Sequence, residues 1–582
     1  MFANCPRLLA VLALAALTAC GDAGIGSETS EVKDKPLLEG TPEALAVLAL
    51  VNDRDVTLDE LDVAAKLDHD AAVGIIARRD GPDGLPRTAD DALFELVADI
   101  DAVPNVGPAT LIALRDYAKS QGYLDAQLAK SFQVVFSPQP YADCHLPRIA
   151  QLIDQAEHTI DIAMYSYGDA GISQALGRAV DRGVKVRFVF ETAGTDKSLT
   201  GNALAGSKSA ALEKLGVNVR YVTKIMHHKF MIVDGPRDQL EAAATATIVT
   251  GSANWSTSAG TKYDENTLFF KGYPELALRL QRDFNLLWEH SGDFVFDPAL
   301  PYELSTLAIG DELLPEDPNS HVWFTSSNFN VRDTTFGSKG TNTVSDQWVA
   351  AIQGAHKSIH IASGHFRGRA VAQALEAKIA AEPQIDIRVL LDDQEYISKS
   401  ASDAQISELN ACLAAAGQNA SKTRTCLDKG FYYGYEATLA GVLVRYKFYA
   451  YRWNAAYAVQ MHNKVMIVDG ERLYTGSYNL SDNAEHNTFE NMFLFKGPEF
   501  ASTIASYEAT FAHLWELGRA EGMLAKLRDQ IATASSIPLV FDPVVLEWQE
   551  VTDLKTLIRQ NCPAVDSAEY RSQPTTHMFC PR

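Results

Sequence analysis

Two apolar periods alternate along this chain, and the alternation itself is repeated. Residues 149–156 carry the three-and-four spacing of an amphipathic helix, and Thr159-Ile160-Asp161-Ile162-Ala163-Met164 reads as a strand. A helix over 172–181 follows, ended by Gly183, and then a strand over 184–191. The same order returns as a helix over 348–355, a strand over 358–362, a helix over 371–380 and a strand over 385–391. Strands alternating with helices predict a sheet covered on its faces, an α/β domain in each half. A stretch over 395–440 interrupts the second half, and loops of that length are usually functional or self-packed. Residues 42–124 show helical periodicity alone.

The repetition extends to the residues themselves. Met226-His227-His228-Lys229-Phe230-Met231-Ile232-Val233-Asp234-Gly235 returns as Met461-His462-Asn463-Lys464-Val465-Met466-Ile467-Val468-Asp469-Gly470. Gly251-Ser252-Ala253-Asn254 returns as Gly476-Ser477-Tyr478-Asn479, and Glu265-Asn266 as Glu490-Asn491. The Gly-to-Glu separation is 14 in both copies. Three matched elements in the same order, twice, are not a product of chance. An insertion around 236–245 lengthens the first copy. β-branched residues flank each His-Lys pair, which puts both motifs on or beside a strand.

Each copy thus offers a His, a Lys, an Asn, a Ser and a Glu within a short span, and these types suit attack on a phosphodiester. Two lysines and two asparagines converging on the phosphate stabilise the charge that spreads over its oxygens. A neutral imidazole can attack phosphorus, while a second, protonated one hands its proton to the departing oxygen. A carboxylate on the other ring nitrogen fixes the tautomer. A single His on an apolar strand is usually a satisfied core residue, and a single Lys is usually solvated. The matched second copy removes that simpler explanation. His228 has no such support, since Asn463 replaces it, and it reads as a neighbour of the site.

This pattern, H-x-K-x4-D followed by G-S-x-N and Glu-Asn, resembles the phospholipase D superfamily over roughly 133–516. The resemblance implies two α/β/α sandwich domains related by a pseudo-twofold axis, with one active site between them. It implies His227 as the nucleophile that becomes a phosphohistidine, and His462 as the general acid and later the base that activates water. Lys229, Lys464, Asn254 and Asn479 would cradle the phosphate. Glu265 and Glu490 would orient the histidines, and Ser252 and Ser477 would lend hydrogen bonds. Asp234 and Asp469 read as structural, holding the motif's loop. The chemistry calls for no cofactor and no metal.

The N-terminus reads as an address. Arg7 precedes an apolar run over 8–19 of signal-peptide length, too short to span a bilayer. The run ends in Leu17-Thr18-Ala19-Cys20, which resembles a bacterial lipobox and implies a lipid on Cys20, followed by a polar tether. The expected product is an exported, membrane-anchored lipoprotein of the bacterial cell envelope, or a secreted protein where the run is an ordinary secretory signal. The chain then divides into a leader (1–19), a lipidated tether (20–40), a helical domain (41–125), two repeated domains (130–300 and 318–530) and a C-terminal extension (531–582). Val540-Phe541-Asp542-Pro543 echoes Val295-Phe296-Asp297-Pro298, so each repeat is expected to close with the same strand. Export permits disulfides. Proximity suggests Cys412 with Cys426 and Cys562 with Cys580, leaving Cys144 over.

Within the small all-α region, Ile100-Asp101-Ala102-Val103-Pro104-Asn105-Val106-Gly107-Pro108-Ala109 resembles a helix-hairpin-helix turn. Residues 57–79 form a degenerate copy in which Asp68 and Asp70 stand in the turn. Such a motif can hold phosphates through backbone N–H groups and implies a possible nucleic-acid partner. The formal net charge of −23 opposes loose binding to nucleic acid or anionic membrane without excluding a local basic cleft. Three functions stay open at this point. The lead is a hydrolase releasing phospholipid head groups at a membrane surface. Phe431-Tyr432-Tyr433 and the aromatics of 446–453 could line an acyl channel or simply fill a core. The second is an exported nuclease acting on DNA or RNA, and the third a protein that recruits a partner through its helical domain.

Overall fold

The computed structural model describes residues 37–88, 90–295, 300–301, 303–533, 537–564, 566–572 and 580. The leader, Cys20 and most of Val295-Phe296-Asp297-Pro298 lie outside them. Among the described residues no helix is long and apolar enough to cross a membrane.

Among the described residues the first copy holds β1 (Ser131–Ser137), β2 (Thr159–Met164), β3 (Lys185–Phe190), β4 (Asn218–Tyr221), β5 (Ile225–Met226), β6 (Lys229–Val233), β7 (Thr247–Gly251), β8 (Glu265–Lys271) and β9 (Gly292–Asp293). The second copy holds β10 (Ser320–Phe324), β11 (Phe329–Arg332), β12 (Thr335–Ser338), β13 (Ser358–Ser363), β14 (Asp386–Asp392), β15 (Leu443–Ala450), β16 (Lys464–Val468), β17 (Arg472–Gly476), β18 (Thr488–Phe489), β19 (Asn491–Lys496) and β20 (Val540–Glu547). The two large sheets run β1-β8-β7-β6-β2-β3-β4-β9 and β10-β19-β17-β16-β13-β14-β15-β20, the same order position by position. In each, the strand after the first helix is parallel to its neighbour on one side and antiparallel to the histidine strand on the other.

The predicted elements fall close to their expected places. Helices span His145–Gln155, Ala170–Asp181, Thr343–Gln353 and Arg369–Ala381. They cover the outer faces, where each copy has its own core: Ile149, Ile162, Leu176 and Phe188 in the first, Trp348, Ile361, Leu375 and Tyr446 in the second. The inner faces share a third core, in which Phe230, Leu268, Phe270 and Phe284 meet Val322, Phe493, Phe495 and Phe511. Phe132 packs edge-on against Phe495 at 4.9 Å, and Phe270 against Phe493 at 6.2 Å. Burying that many aromatics at roughly 1.5–3 kcal/mol each makes the two copies one cooperative body.

One expected boundary moves. The extension over 531–582 is part of the second domain, because β20 pairs with β15 as the edge strand of its sheet. The helices Met523–Thr533 and Trp548–Asn561 pack beside it. The apolar run Val544, Val545 and Leu546 is fully buried there, which is why a segment without catalytic motifs is still needed. Both anticipated disulfides are present, Cys412–Cys426 and Cys562–Cys580, and Cys144 is a buried free thiol. The 395–440 insertion is self-packed as helices Lys399–Ala416, Ala420–Leu427 and Gly434–Ala440.

The N-terminal region is all helical from Pro42–Asn52 to Tyr123–Ala129. It contains two helix–turn–helix pairs, Glu60–Ala64 with His69–Arg79 and Val97–Asp101 with Pro108–Ser120. Lys66 and Asn105 occupy matching left-handed positions in the two turns. The turns differ chemically. Asp68 caps its own helix by accepting from Asp70 and Ala71 N–H, whereas Gly107 leaves the second helix without a side-chain cap.

Candidate active site

The two histidine motifs enter their sheets at equivalent points. Lys229 begins β6 opposite Met164, and Lys464 begins β16 opposite Ser363. Each motif then pairs with the other copy's Glu-bearing segment. β5 and β18 form a two-stranded parallel sheet, and His227 N–H donates to Phe489 O at 3.1 Å. Asp264 and Met461 form the equivalent bridge, and His462 N–H donates to Asp264 O at 3.0 Å. The glycine that opens each G-S-x-N motif has a steric reason. A Cβ on Gly251 would lie 2.3 Å from Asn266 O, and one on Gly476 would lie 2.4 Å from Asn491 O.

That exchange crosses the carboxylates. His227 Nδ1 bonds Glu490 Oε2 at 2.8 Å, and His462 Nδ1 bonds Glu265 Oε1 at 2.7 Å. Each imidazole is therefore oriented by the opposite copy. Lys229 Nζ donates to His227 O at 2.8 Å and lies 3.2 Å from the ring nitrogens, while Lys464 Nζ donates to His462 O at 2.7 Å. Asn479 Nδ2 donates to His227 Nε2 at 3.3 Å, an interaction with no counterpart at His462 among the described residues. Ser477 Oγ donates to Glu490 Oε2 at 2.8 Å, and Ser252 Oγ accepts from Asn266 N–H at 3.0 Å. The side-chain oxygens of Asn254 and Asn479 and Oε2 of Glu265 are buried with no partner among the described residues.

Asp234 and Asp469 stand apart from this cluster, at the far ends of β6 and β16. Asp234 accepts from the N–H groups of Glu157, His158 and Thr159, and Asp469 from those of His356, Lys357 and Ser358. Both adopt left-handed backbone, a conformation in which Asp is among the better-tolerated residues. His228 is fully buried behind the site, bonded to Asn491 at 3.0 Å and 3.1 Å from Asp283. Its counterpart Asn463 accepts from Asn266 at 3.0 Å, so this second layer is crossed as well.

Burial dominates the electrostatics. It holds the His227 and His462 imidazoles well below the ordinary histidine range, and both lysines add to the effect at each ring. The ammonium groups are pushed down by burial too, Lys229 to about 7 and Lys464 to about 8. Burial lifts Glu265 to about 7 and Glu490 to about 8. The two lysines and two glutamates are thus shifted toward neutrality, and the two imidazoles below it.

Several neighbours carry no repeat signal and were not among the sequence candidates. Tyr165 stands 4.6 Å from His227 by ring centroids and 5.2 Å from the Lys229 ammonium. Tyr263 lies 6.3 Å from His462. His365 and Glu395, 3.0 Å apart, form a further pair beside the second motif. Of the two readings open for the aromatics, a core is what most of them form. Phe431, Tyr433, Tyr446 and Phe448 fill the outer core of the second copy, and Tyr449 OH bonds Asp392.

A fold of two equivalent mixed α/β sheets sharing one His-Lys-Glu cluster defines a two-copy phosphodiesterase-type architecture. The model of the family described as "Cardiolipin synthase, PLD-like domain" matches residues 149–288 and 348–515, more than half of the chain. The chain belongs to the phospholipase D superfamily. It is 29% identical over 162 residues to mitochondrial cardiolipin hydrolase of Mus musculus, with 28% of this chain and 63% of that protein covered. It is 31% identical over 155 residues to the protein of that name from Danio rerio, with 26% and 58% covered. The chain therefore spans about three fifths of the length of these relatives. Among solved structures it is similar to Nuc, a phospholipase D family member from Salmonella typhimurium, at 30% identity and a TM-score of 0.23, covering 28% of this chain and 97% of that one. The phosphatidylserine synthase of Haemophilus influenzae Rd KW20 matches at 14% identity and a TM-score of 0.42, covering 77% and 95%.

Proposed function

We propose that the protein hydrolyses the head group of a phospholipid by two displacements at one phosphorus, without a metal. The observation that carries this reading is the crossed pair of His–Glu contacts, which gives one buried site two oriented imidazoles and two lysines. His227 is the nucleophile. Its Nδ1–H is held by Glu490, and Nε2 accepts from Asn479, so Nε2 carries a lone pair. Attack forms the Nε2–P bond and breaks the bond from phosphorus to the head-group oxygen. That oxygen takes a proton from the His462–Glu265 pair. His462 then removes a proton from water, whose oxygen displaces Nε2 and leaves phosphatidic acid. A phosphodiester between Lys229 and Lys464 supplies the negative charge that keeps both ammonium groups protonated and lets His462 hold its proton. An alcohol replacing water at the second step would give transfer instead of hydrolysis.

The names of the similar cardiolipin hydrolases favour a lipid over a nucleic acid. A nuclease is the second reading, favoured by the uncapped helix start at Gly107, which has open space beside it. Against it, Asp68 already occupies the matching turn. We also assign the protein to a membrane surface through a lipid on Cys20, which mass spectrometry of the N-terminal peptide would test.

The deciding experiment uses full-length protein in mixed micelles with EDTA, beside the His227→Ala, His462→Ala double variant. Head-group release present in the first and absent in the second supports the lipid enzyme. Cleavage of DNA or RNA without lipid turnover replaces it with the nuclease. Silence on lipid with EDTA, reversed by a divalent cation, rejects the metal-free mechanism.

A further inference from the structure

His365 is a third histidine at the cleft, and neither the repeated motif nor the two displacements use it. The register fixes its counterpart. Tyr165 N–H donates to His228 O at 3.0 Å and Gly364 N–H to Asn463 O at 3.1 Å, so Ser166 in the first copy stands where His365 stands in the second. The chain passes close to the second histidine motif here. A Cβ on Gly364 would lie 2.9 Å from Met461 O and 3.7 Å from Cδ2 of His462. His365 thus follows directly on a residue packed against the general acid. Both catalytic imidazoles lie within electrostatic reach of its ring.

The ring is held in place by a built support. Nδ1 bonds Glu395 Oε1 at 3.0 Å, and Glu395, 1% exposed, also accepts from Phe366 N–H and Arg367 Nε at 3.0 Å. Arg367 in turn lies 4.6 Å above the Tyr432 ring. Glu395 and Tyr432 belong to the 395–440 insertion, so the first copy has no equivalent clamp. Among the described residues nothing bonds Nε2 of His365, and 25% of the side chain is exposed. The result is an oriented imidazole with one free nitrogen on one side only of an otherwise twofold site.

What that nitrogen binds follows from its hydrogen-bonding rules. With Nδ1–H donated to a carboxylate, a neutral ring presents Nε2 as an acceptor, and a protonated ring presents it as a donor. A second phosphate would suit only the protonated ring, and an ammonium group only the neutral one. A hydroxyl suits both, because it donates and accepts. The scissile phosphate already has Lys229 and Lys464. We infer that His365, fixed by Glu395, binds a hydroxyl on the alcohol that leaves on the His462 side, so that the enzyme prefers phosphodiesters whose leaving alcohol carries a further hydroxyl. The choice of substrates below rests on the phospholipid reading.

The test compares phosphatidylglycerol with phosphatidylpropanol, matched in acyl chains and charge, in the same mixed micelles. The wild-type full-length protein is expected to favour the glycerol head group in kcat/KM by about tenfold, the size of one partly exposed hydrogen bond. His365→Phe should bring that ratio close to one, acting chiefly on KM for phosphatidylglycerol, and His365→Gln should restore part of it. A ratio already near one in the wild type overturns the inference. So does a ratio unchanged in His365→Phe, or an equal fall on both substrates in both variants. Wild-type protein that cleaves neither lipid sinks the phospholipid reading, and this assignment with it. Turnover of both lipids without the shift in ratio sinks the His365 assignment alone.

Discussion

The two copies share a sheet order, a histidine motif and a carboxylate clamp, yet the two histidines do not share an environment. His227 lies under Tyr165, accepts from Asn479 and has His228 and Asp283 behind it. His462 has Tyr263 farther off, no amide on Nε2 among the described residues, and His365 beside it on an inserted support. A buried Lys447–Asp264 pair, 2.7 Å apart, sits under its backbone, where the first motif meets Phe489 instead. Duplication supplied two equal half-sites, and the surroundings then made them unequal. The active centre is a property of the pair, because each imidazole takes its carboxylate from the opposite half.

The sharpest way to break that comparison is to remove each histidine alone. His227→Ala and His462→Ala should each lower kcat/KM on lipid by about 10⁴-fold or more, since nucleophile and acid are both needed. A p-nitrophenyl phosphodiester separates them, because its leaving group needs no proton. His462→Ala should still release a burst of p-nitrophenolate and accumulate the phosphohistidine, and His227→Ala should release none. A burst in His227→Ala would reverse the roles. Next in size, Glu490→Gln should behave like a nucleophile variant and Glu265→Gln like an acid variant, each losing about 10²–10⁴-fold. Burst amplitude again reads the difference. If instead each Glu variant mimics loss of the histidine in its own copy, the crossed pairing is wrong.

The pH profile of kcat/KM tests these opposed shifts, with a smaller effect of about tenfold per pH unit outside the optimum. Below the ordinary histidine range, His227 gains a proton and loses its lone pair, so activity falls as pH drops through its lowered pKa. Above about 7 to 8, Lys229 and Lys464 lose charge and the His462–Glu265 pair loses the proton the leaving group needs. The expected curve is a bell with its optimum near neutrality. A profile flat from pH 5 to 9 would contradict the burial of these groups.

Much of this was legible in the sequence, and the part that was not has a physical reason. Exact repetition of His-x-Lys, Gly-Ser-x-Asn and Glu-Asn marks residues that a shared chemistry constrains, so the cluster is visible in the sequence alone. Which glutamate serves which histidine was not readable, because it depends on β5 pairing with β18 across the two copies. His365 escaped because it belongs to one copy only, and a search by repetition discards what is not repeated. The echo at Val540-Phe541-Asp542-Pro543 pointed to a closing strand, but its boundary with the second domain was not readable because the β20–β15 pairing is long-range. The aromatics of 446–453 left two readings open. A strand such as β15 alternates rings whether it lines a channel or a core, and only burial separates the two.

The smallest expected effect concerns the residues the family motif counts as its third letter. Asp234 and Asp469 each gather three successive backbone N–H groups at the turn before β2 or β13. Neither meets the histidine cluster. Asp234→Ala or Asp469→Ala removes a charged acceptor from N–H groups that lie partly in solvent, where water replaces some of the lost bonding, so the cost should be about 1–3 kcal/mol of stability. Asp→Asn should cost less at either position, because its oxygen still accepts and its side chain tolerates the left-handed backbone. Thermal melts would register the loss, while kcat measured well below the melting temperature should stay within about twofold of the parent protein. A fall in kcat comparable to that of Lys229→Ala, with the melt unchanged, would mean that these aspartates act on the chemistry and that the two copies are coupled at both ends of the histidine strand.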